Sequence, residues 1–262
     1  MAAVRRSSTE IGLAFEKHSQ RYLNNHLHMS LRRVGRAGDG GVDLRGSWYM
    51  PYDAAAPGPS RHGRSLFQEA KSGEIAERRE DWRRLRVVGQ CKAEKKALGP
   101  RAVRELEGVV AHLEGASRKG KERSLSPDQY PESSDSSQLP EPEDEDYNSE
   151  IVAILLSQSG FSKNAMLHAH KSHTPLMLVH LPGGQAGAED VQADISGLWW
   201  NEALSGRTGL LGGKMELRRE ILAGSGVDDV TGDAQIKVRY RLYHSGRRFE
   251  RLGPALGEME DI

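Results

Sequence analysis

A chain of 262 residues is long enough for one large domain or two small ones, yet only 37% of it is hydrophobic and its mean hydropathy is −0.64, too low for all of it to pack into a core. The single cysteine, Cys91, excludes an internal disulfide and a cysteine-rich zinc site, and no run approaches the roughly 20 apolar residues of a membrane helix. A formal net charge of zero conceals an asymmetry: residues 1–123 hold 25 Lys+Arg against 15 Asp+Glu, residues 124–262 hold 12 against 22, and nine of the later acids fall in 124–150, which has no Lys or Arg. A basic folded portion suits an anionic partner such as nucleic acid, and a mixed solvated surface accounts for the charge equally well.

The N-terminus carries Arg5, Arg6, Ser7 and Ser8 without an apolar stretch, so a secretory signal is not expected; a clipped mitochondrial presequence is compatible with it. Ser8-Thr9-Glu10 then precedes Ile11, Leu13, Phe15, Tyr22 and Leu23, which predicts a helix over about residues 10–27 with a Ser/Thr cap and Glu16 inside it. Strands are predicted at 31–35 and 42–50. The Asp39-Gly40-Gly41 turn between them marks a hairpin, because Asp and Gly tolerate positive φ. The turn accounts for Asp39. It does not account for Asp43, which interrupts a strand where Asp is disfavoured.

Residues 51–84 are Pro/Gly/Ala-rich and then highly charged, and are expected to be an insertion, its charged part an arm or helix. Leu85 to Lys92 reads as a buried strand. Gly99-Pro100 opens a helix with Val103, Leu106, Val109, Val110 and Leu113 on one face. Residues 116–149, rich in Ser, Pro and acid, are expected to be a disordered insertion, since a core strand resumes at Ile151–Leu156. A helix with Ser162 as its cap and a second buried strand in TPLMLVHL follow, and strand–helix–strand implies a parallel pair. GLWWNEAL reads as a short helix. AQIKVRYRLYH alternates, with Ile236, Val238, Tyr240 and Leu242 on one face and Lys237, Arg239 and Arg241 on the other. That basic row is either an edge guarded against aggregation or a phosphate-contacting strip.

Gln90 and Lys92 stand at i and i+2 of one strand and therefore point to the same face. A lysine at the interior end of a strand needs a partner, and a carboxylate or a phosphate serves. Asp43, on a preceding strand, is positioned to come alongside. An Asp carboxylate, a Gln amide oxygen and a backbone carbonyl near Cys91 would suit Mg²⁺, which takes oxygen ligands and keeps several waters.

Gly38-Asp39-Gly40-Gly41-Val42-Asp43-Leu44 followed by Gln90-Cys91-Lys92 resembles the PD-(D/E)XK nuclease superfamily, and within it the Mrr-type branch similar to type IV restriction endonucleases. The helix carrying AFEKHSQRYL, ELEGVVAHL after the QxK, and SQSGFSKNAMLHAHKSHTPLMLVHL extend the likeness over about residues 10–182. The layout with insertions also resembles a fungal mitochondrial group of Mrr-like proteins named as required for respiratory growth.

The resemblance implies an α/β, restriction-endonuclease-like fold: a mixed central sheet flanked by helices over 10–182, insertions at 51–84 and 116–149, and a β-containing C-terminal extension over 183–262. It implies a metal-dependent DNA endonuclease, with Asp43 as the main ligand of Mg²⁺ or Mn²⁺, Gln90 as a second ligand, Lys92 as the catalytic lysine and Glu16 as an auxiliary acid. Double-stranded DNA, a mitochondrial location and a homodimer for paired cutting follow from the same likeness. Gln90 stands where the superfamily at large has a carboxylate, which leaves one negative charge fewer for a metal, and the 51–84 insertion separates the motif strands. The alternatives are a non-catalytic nucleic-acid-binding protein on this fold and a respiratory maintenance factor working through protein contacts.

Other motifs carry less. His168, His170 and His173 do not stack on one helix face as metal ligands would, and are expected on a solvated face. TGLLGGKM lacks the glycine spacing and the Ser/Thr of a phosphate-binding loop. Cys91 points away from Gln90 and Lys92 and reads as a packed thiol.

Overall fold

The structure is a computed structural model that describes residues 7–34, 41–52, 81–124, 150–182, 195–222 and 237–249. Helix α1 (Ser8–His26) starts from a capping box: Glu10 N donates to the Ser7 hydroxyl at 3.2 Å, and Ser7 N donates to the Glu10 carboxylate at 2.7 Å. That reciprocal pair sets the start two residues earlier than the apolar periodicity does.

Strands β1 (Met29–Arg33), β2 (Leu44–Tyr52) and β3 (Asp81–Lys92) form an antiparallel meander, with Arg33 opposite Leu44 and Tyr52 opposite Asp81. Strand β4 (Ile151–Ser157) runs parallel to β3, β5 (Leu176–His180) runs parallel to β4, and β6 (Gly197–Trp200) closes the sheet antiparallel to β5. The spatial order follows the chain, β1 to β6. Helices α2 (Pro100–Ser124) and α3 (Lys163–Lys171) make the two crossovers, and Ser162 caps α3 by accepting from Ala165 N at 3.2 Å. The mixed α/β sheet flanked by helices is thus the observed architecture.

Alternation along β3 divides the core in two. Leu85 and Val87 pack with Phe15 and Leu23 of α1, together with Trp48, Ile154 and Val179. Val88 packs with Val103 and Leu106 of α2, together with Val42, Leu155 and Leu178. Every residue of β4 is buried, as expected of a parallel strand covered on both faces.

Three expectations change. β2 reaches Tyr52 and β3 begins at Asp81, so the hairpin ladder extends into both ends of the 51–84 segment, and residues 53–80 lie outside the described residues. Helix α2 continues through 116–124, where Lys, Arg and Glu support helix, and 125–149 lie outside the described residues. GLWW is strand β6 and not helix: Leu198 and Trp200 pack on one core and Trp199 on the other, and only Glu202–Ser205 forms a helix, α4, capped by Asn201. The C-terminal extension is β-containing and packs on the same core. Its strands β7 (Met215–Leu222), β8 (Lys237–His244) and β9 (Arg247–Arg248) form a second sheet whose Met215, Leu242 and Phe249 join the core beneath α1.

Asn201 joins the late elements to the sheet. It is buried, its Nδ2 donates to the carbonyls of Ala169, Ser172 and Thr174, and its Oδ1 accepts from Leu176 N and Leu204 N.

Candidate active site

The hairpin ladder of β2 and β3 ends at Leu44 opposite Gly89, and the next residues replace sheet bonds with side-chain bonds. Asp43 N donates to Gly89 O at 2.9 Å, and Val34 N donates to Asp43 O at 2.9 Å, so the Asp43 backbone is pinned from both sides. Its carboxylate Oδ2 then accepts the Cys91 N–H at 2.7 Å, a charge-assisted bond that takes the place of a ladder partner. This is why an aspartate stands in a strand run: it ends the pairing and turns its carboxylate toward the QxK segment.

Gln90 and Lys92 share the α2 face of β3. Gln90 is 5% exposed, and its side-chain oxygen Oε1 is buried without a hydrogen-bond partner. Such a group costs about 1–3 kcal/mol of stability unless something else satisfies it. Gly41 shapes the same spot. Its φ is +83°, and a Cβ there would stand 2.9 Å from Gln90 Nε2, so the second glycine of the turn is required both by its backbone conformation and by the amide beside it. Asp39 lies outside the described residues.

Lys92 is 27% exposed, and its Nζ lies 3.8 Å from Glu105 Oε2 of α2. Glu105 also accepts from Arg101 Nε at 2.9 Å, so one acid serves two cations. The rim beyond Lys92 is tied together. Gln158 N donates to Lys92 O, Ser159 Oγ to Lys96 O, Leu98 N to Gly160 O, and Ser162 N to Leu98 O. These bonds hold the β3–α2 and β4–α3 loops against each other at the carboxyl ends of the parallel strands, the usual location of ligand sites in such sheets.

Glu16 does not share the face of Gln90 and Lys92. It sits on α1, across the sheet, and its Oε2 accepts from Arg33 Nε at 3.0 Å and Nη2 at 2.9 Å. Between it and Asp43 stands the Cys91 thiol. Burial is the main cause that pushes the thiol well above the usual range, Asp43 and Glu16 add to it, and Ser19 and Arg33 oppose it. A thiol held protonated in this way is the packed thiol expected from the strand alternation. Asp43 and Gln90 together offer a carboxylate and an amide oxygen, a hard donor set that fits Mg²⁺ or Mn²⁺ retaining most of its waters. Among the described residues no group of three or more His, Cys, Asp or Glu is placed to hold a metal ion.

The sequence singled out neither Glu105 nor Gly41 as a site builder. Glu105 had one available signal: it lies in the second turn of the helix that follows the QxK strand, close to the strand's carboxyl end. His168 departs from expectation, since it is not on a solvated face. Its Nε2 lies 2.9 Å from Glu107 Oε2, and Ser172 Oγ donates to the other oxygen of Glu107, so the pair fastens α3 to α2.

Residues 7–126 match the family model described as Required for respiratory growth protein 7. The chain is similar to the Saccharomyces cerevisiae protein "Required for respiratory growth protein 7, mitochondrial" of strains YJM789 and S288c, 32% identical over 133 residues in each case, which is 46% of this chain and 55% of the relative. The chain spans about half the length of the curated relatives it matches. No solved structure matches it. The matched residues include Glu16, Asp43, Gln90, Lys92 and Glu105, whereas β4 to β9 lie beyond the family model.

Proposed function

We propose that the chain is a metal-dependent phosphodiesterase of restriction-endonuclease-like fold that acts on duplex DNA in mitochondria and serves respiratory growth. One observation carries the reading. The Gln90 side-chain oxygen is buried and unbonded on the strand face that also bears Lys92, and the N–H of Cys91, the next residue, holds the Asp43 carboxylate. A stability-driven core has no use for that oxygen; a cation site does. The mitochondrial location and the link to respiratory growth rest on the printed names of the similar yeast proteins.

Asp43 and Gln90 would hold Mg²⁺ or Mn²⁺, and such an ion acidifies a bound water and neutralises charge on a phosphate. The remaining work belongs to the chain. The Cys91 N–H fixes which Asp43 oxygen faces the protein, Gly41 leaves room for the Gln90 amide, and Lys92 presents an ammonium to a non-bridging phosphate oxygen or to the attacking water. Substrate competes with Glu105 for Lys92 across a half-exposed 3.8 Å pair, a weak restraint.

The same pair favours a second reading. A lysine already engaged by an acid, on a site with a single carboxylate, also describes a nucleic-acid-binding protein that retains the fold without cleavage. Supercoiled plasmid incubated with Mg²⁺ or Mn²⁺ separates the two, with Asp43→Ala and Lys92→Ala alongside. Nicking by the wild type alone is the expected result. Salt-sensitive retention without nicking by any of the three would replace the first reading with the second.

A further inference from the structure

Residues 124–262 as a whole are acidic, yet the second sheet is not. Residues 214–222 and 237–249 hold eight Lys/Arg and two Glu. Register places Arg218, Arg239, Arg241 and Arg248 on one side, which also carries Glu216 and Glu220, and Arg219 and Arg247 on the other. Met215, Leu217, Tyr240 and Leu242 face the core, so their strand neighbours Arg218, Arg239 and Arg241 face away from it, and Arg218 stands directly opposite Arg241. Like charges placed opposite one another destabilise a ladder. The chain offsets this only in part. Arg218 stacks on the Tyr243 ring at 4.2 Å and bonds Glu216 Oε2 at 2.9 Å. Arg241 Nε lies 3.6 Å from Glu220, too far for a hydrogen bond, and is buried without any other partner. Arg239 and Arg248 lie near enough to Arg241 to disfavour its charge, second to burial.

We propose that the outward face of β7–β8–β9 is a second nucleic-acid contact surface, one that grips the phosphodiester backbone away from the candidate active site. Guanidinium groups in repulsive array are completed by a polyanion with regularly spaced phosphates. The stacked Arg218–Tyr243 pair adds a flat surface. Arg239 and Arg241 lie near Tyr22 and His26 of α1, six and ten residues beyond Glu16. That is roughly 9–15 Å along the helix from Glu16, on the side of the sheet opposite Gln90 and Lys92. The surface shares its partner class with the proposed function but does not depend on cleavage. A protein that never nicks DNA would still bind through it.

The test is fluorescence anisotropy of the full chain with a labelled random-sequence duplex across a salt series. Arg218→Gln/Arg248→Gln changes two exposed side chains, and is expected to weaken binding roughly tenfold and to make the slope of log K against log [salt] shallower by about 2, as the loss of two phosphate contacts requires. Glu216→Gln, which removes an exposed acid from the same face, is expected to tighten binding, an outcome that a folding defect does not produce. Unchanged affinity and slope in the double variant would overturn the proposal. So would the absence of duplex binding by the wild type, or binding to anionic vesicles in preference to DNA. Failure of the catalytic reading is read separately, from plasmid nicking.

Discussion

The β1–β3 hairpin and the β7–β9 sheet are both antiparallel, and both bear charge on a face turned from α1's core, but they treat that charge in opposite ways. At the candidate site the charged groups have protein partners: Asp43 holds Cys91 N–H, Lys92 meets Glu105, and Glu16 is clasped by Arg33. The neutral Gln90 oxygen is buried there without a hydrogen-bond partner. At the second sheet the arginines outnumber the acids, and repulsion among them remains in the folded chain. A site built for one cation and one reacting phosphate needs fixed single groups. A surface built for a polymer of phosphates needs surplus charge and tolerates loose placement. Under the two proposals, chemistry and grip differ in how completely the chain satisfies its own side chains.

The largest test of that contrast is Gln90→Leu. If the oxygen serves a cation, cleavage falls on the order of 100-fold while the urea midpoint holds or rises, since an unsatisfied buried group has been removed; equal cleavage by variant and wild type would remove Gln90 from the site. Leu242→Ala asks whether the two regions are one folding unit. It empties a buried position in the core beneath α1 and is expected to cost about 3 kcal/mol in a single denaturant transition seen by probes in both regions. Two separate transitions would make the second sheet an independent module. Gly41→Ala is expected to cost about 1 kcal/mol from its left-handed φ and to lower cleavage further by displacing the Gln90 amide, with DNA affinity unmoved.

The smallest effect is a pH dependence seated between the regions. Burial, then Arg239 and Arg241, lower the His26 pKa from its ordinary value. The unfolded chain therefore binds the proton first, and stability falls as pH drops through about 6.5 toward the folded value. Denaturant midpoints from pH 7.5 to 5 are expected to decline, and His26→Gln to flatten part of that decline. His18, lowered by burial and by Arg21, contributes in the same direction, so the flattening is partial.

Much of this molecule is local and could be read from the chain. Ser162 caps α3, Pro100 starts α2, the two β arms flanking the glycine turn pair antiparallel, and QCK alternates Gln90 and Lys92 against Cys91, because capping, proline geometry, turns and the period of two act within a few residues. The sequence likewise marked Asp43 as out of place in a strand. Tertiary structure decided what those residues meet. That Glu105 reaches Lys92, that Glu16 lies across the sheet with Arg33, that Asn201 gathers five backbone groups, and that GLWW becomes a sheet edge all depend on contacts between segments far apart in the chain. Charge shows the same limit. Summed along residues 124–262 it is acidic, and only register and packing bring Arg218, Arg239, Arg241 and Arg248 to one face, because a sum over sequence carries no information about which side chains share a surface.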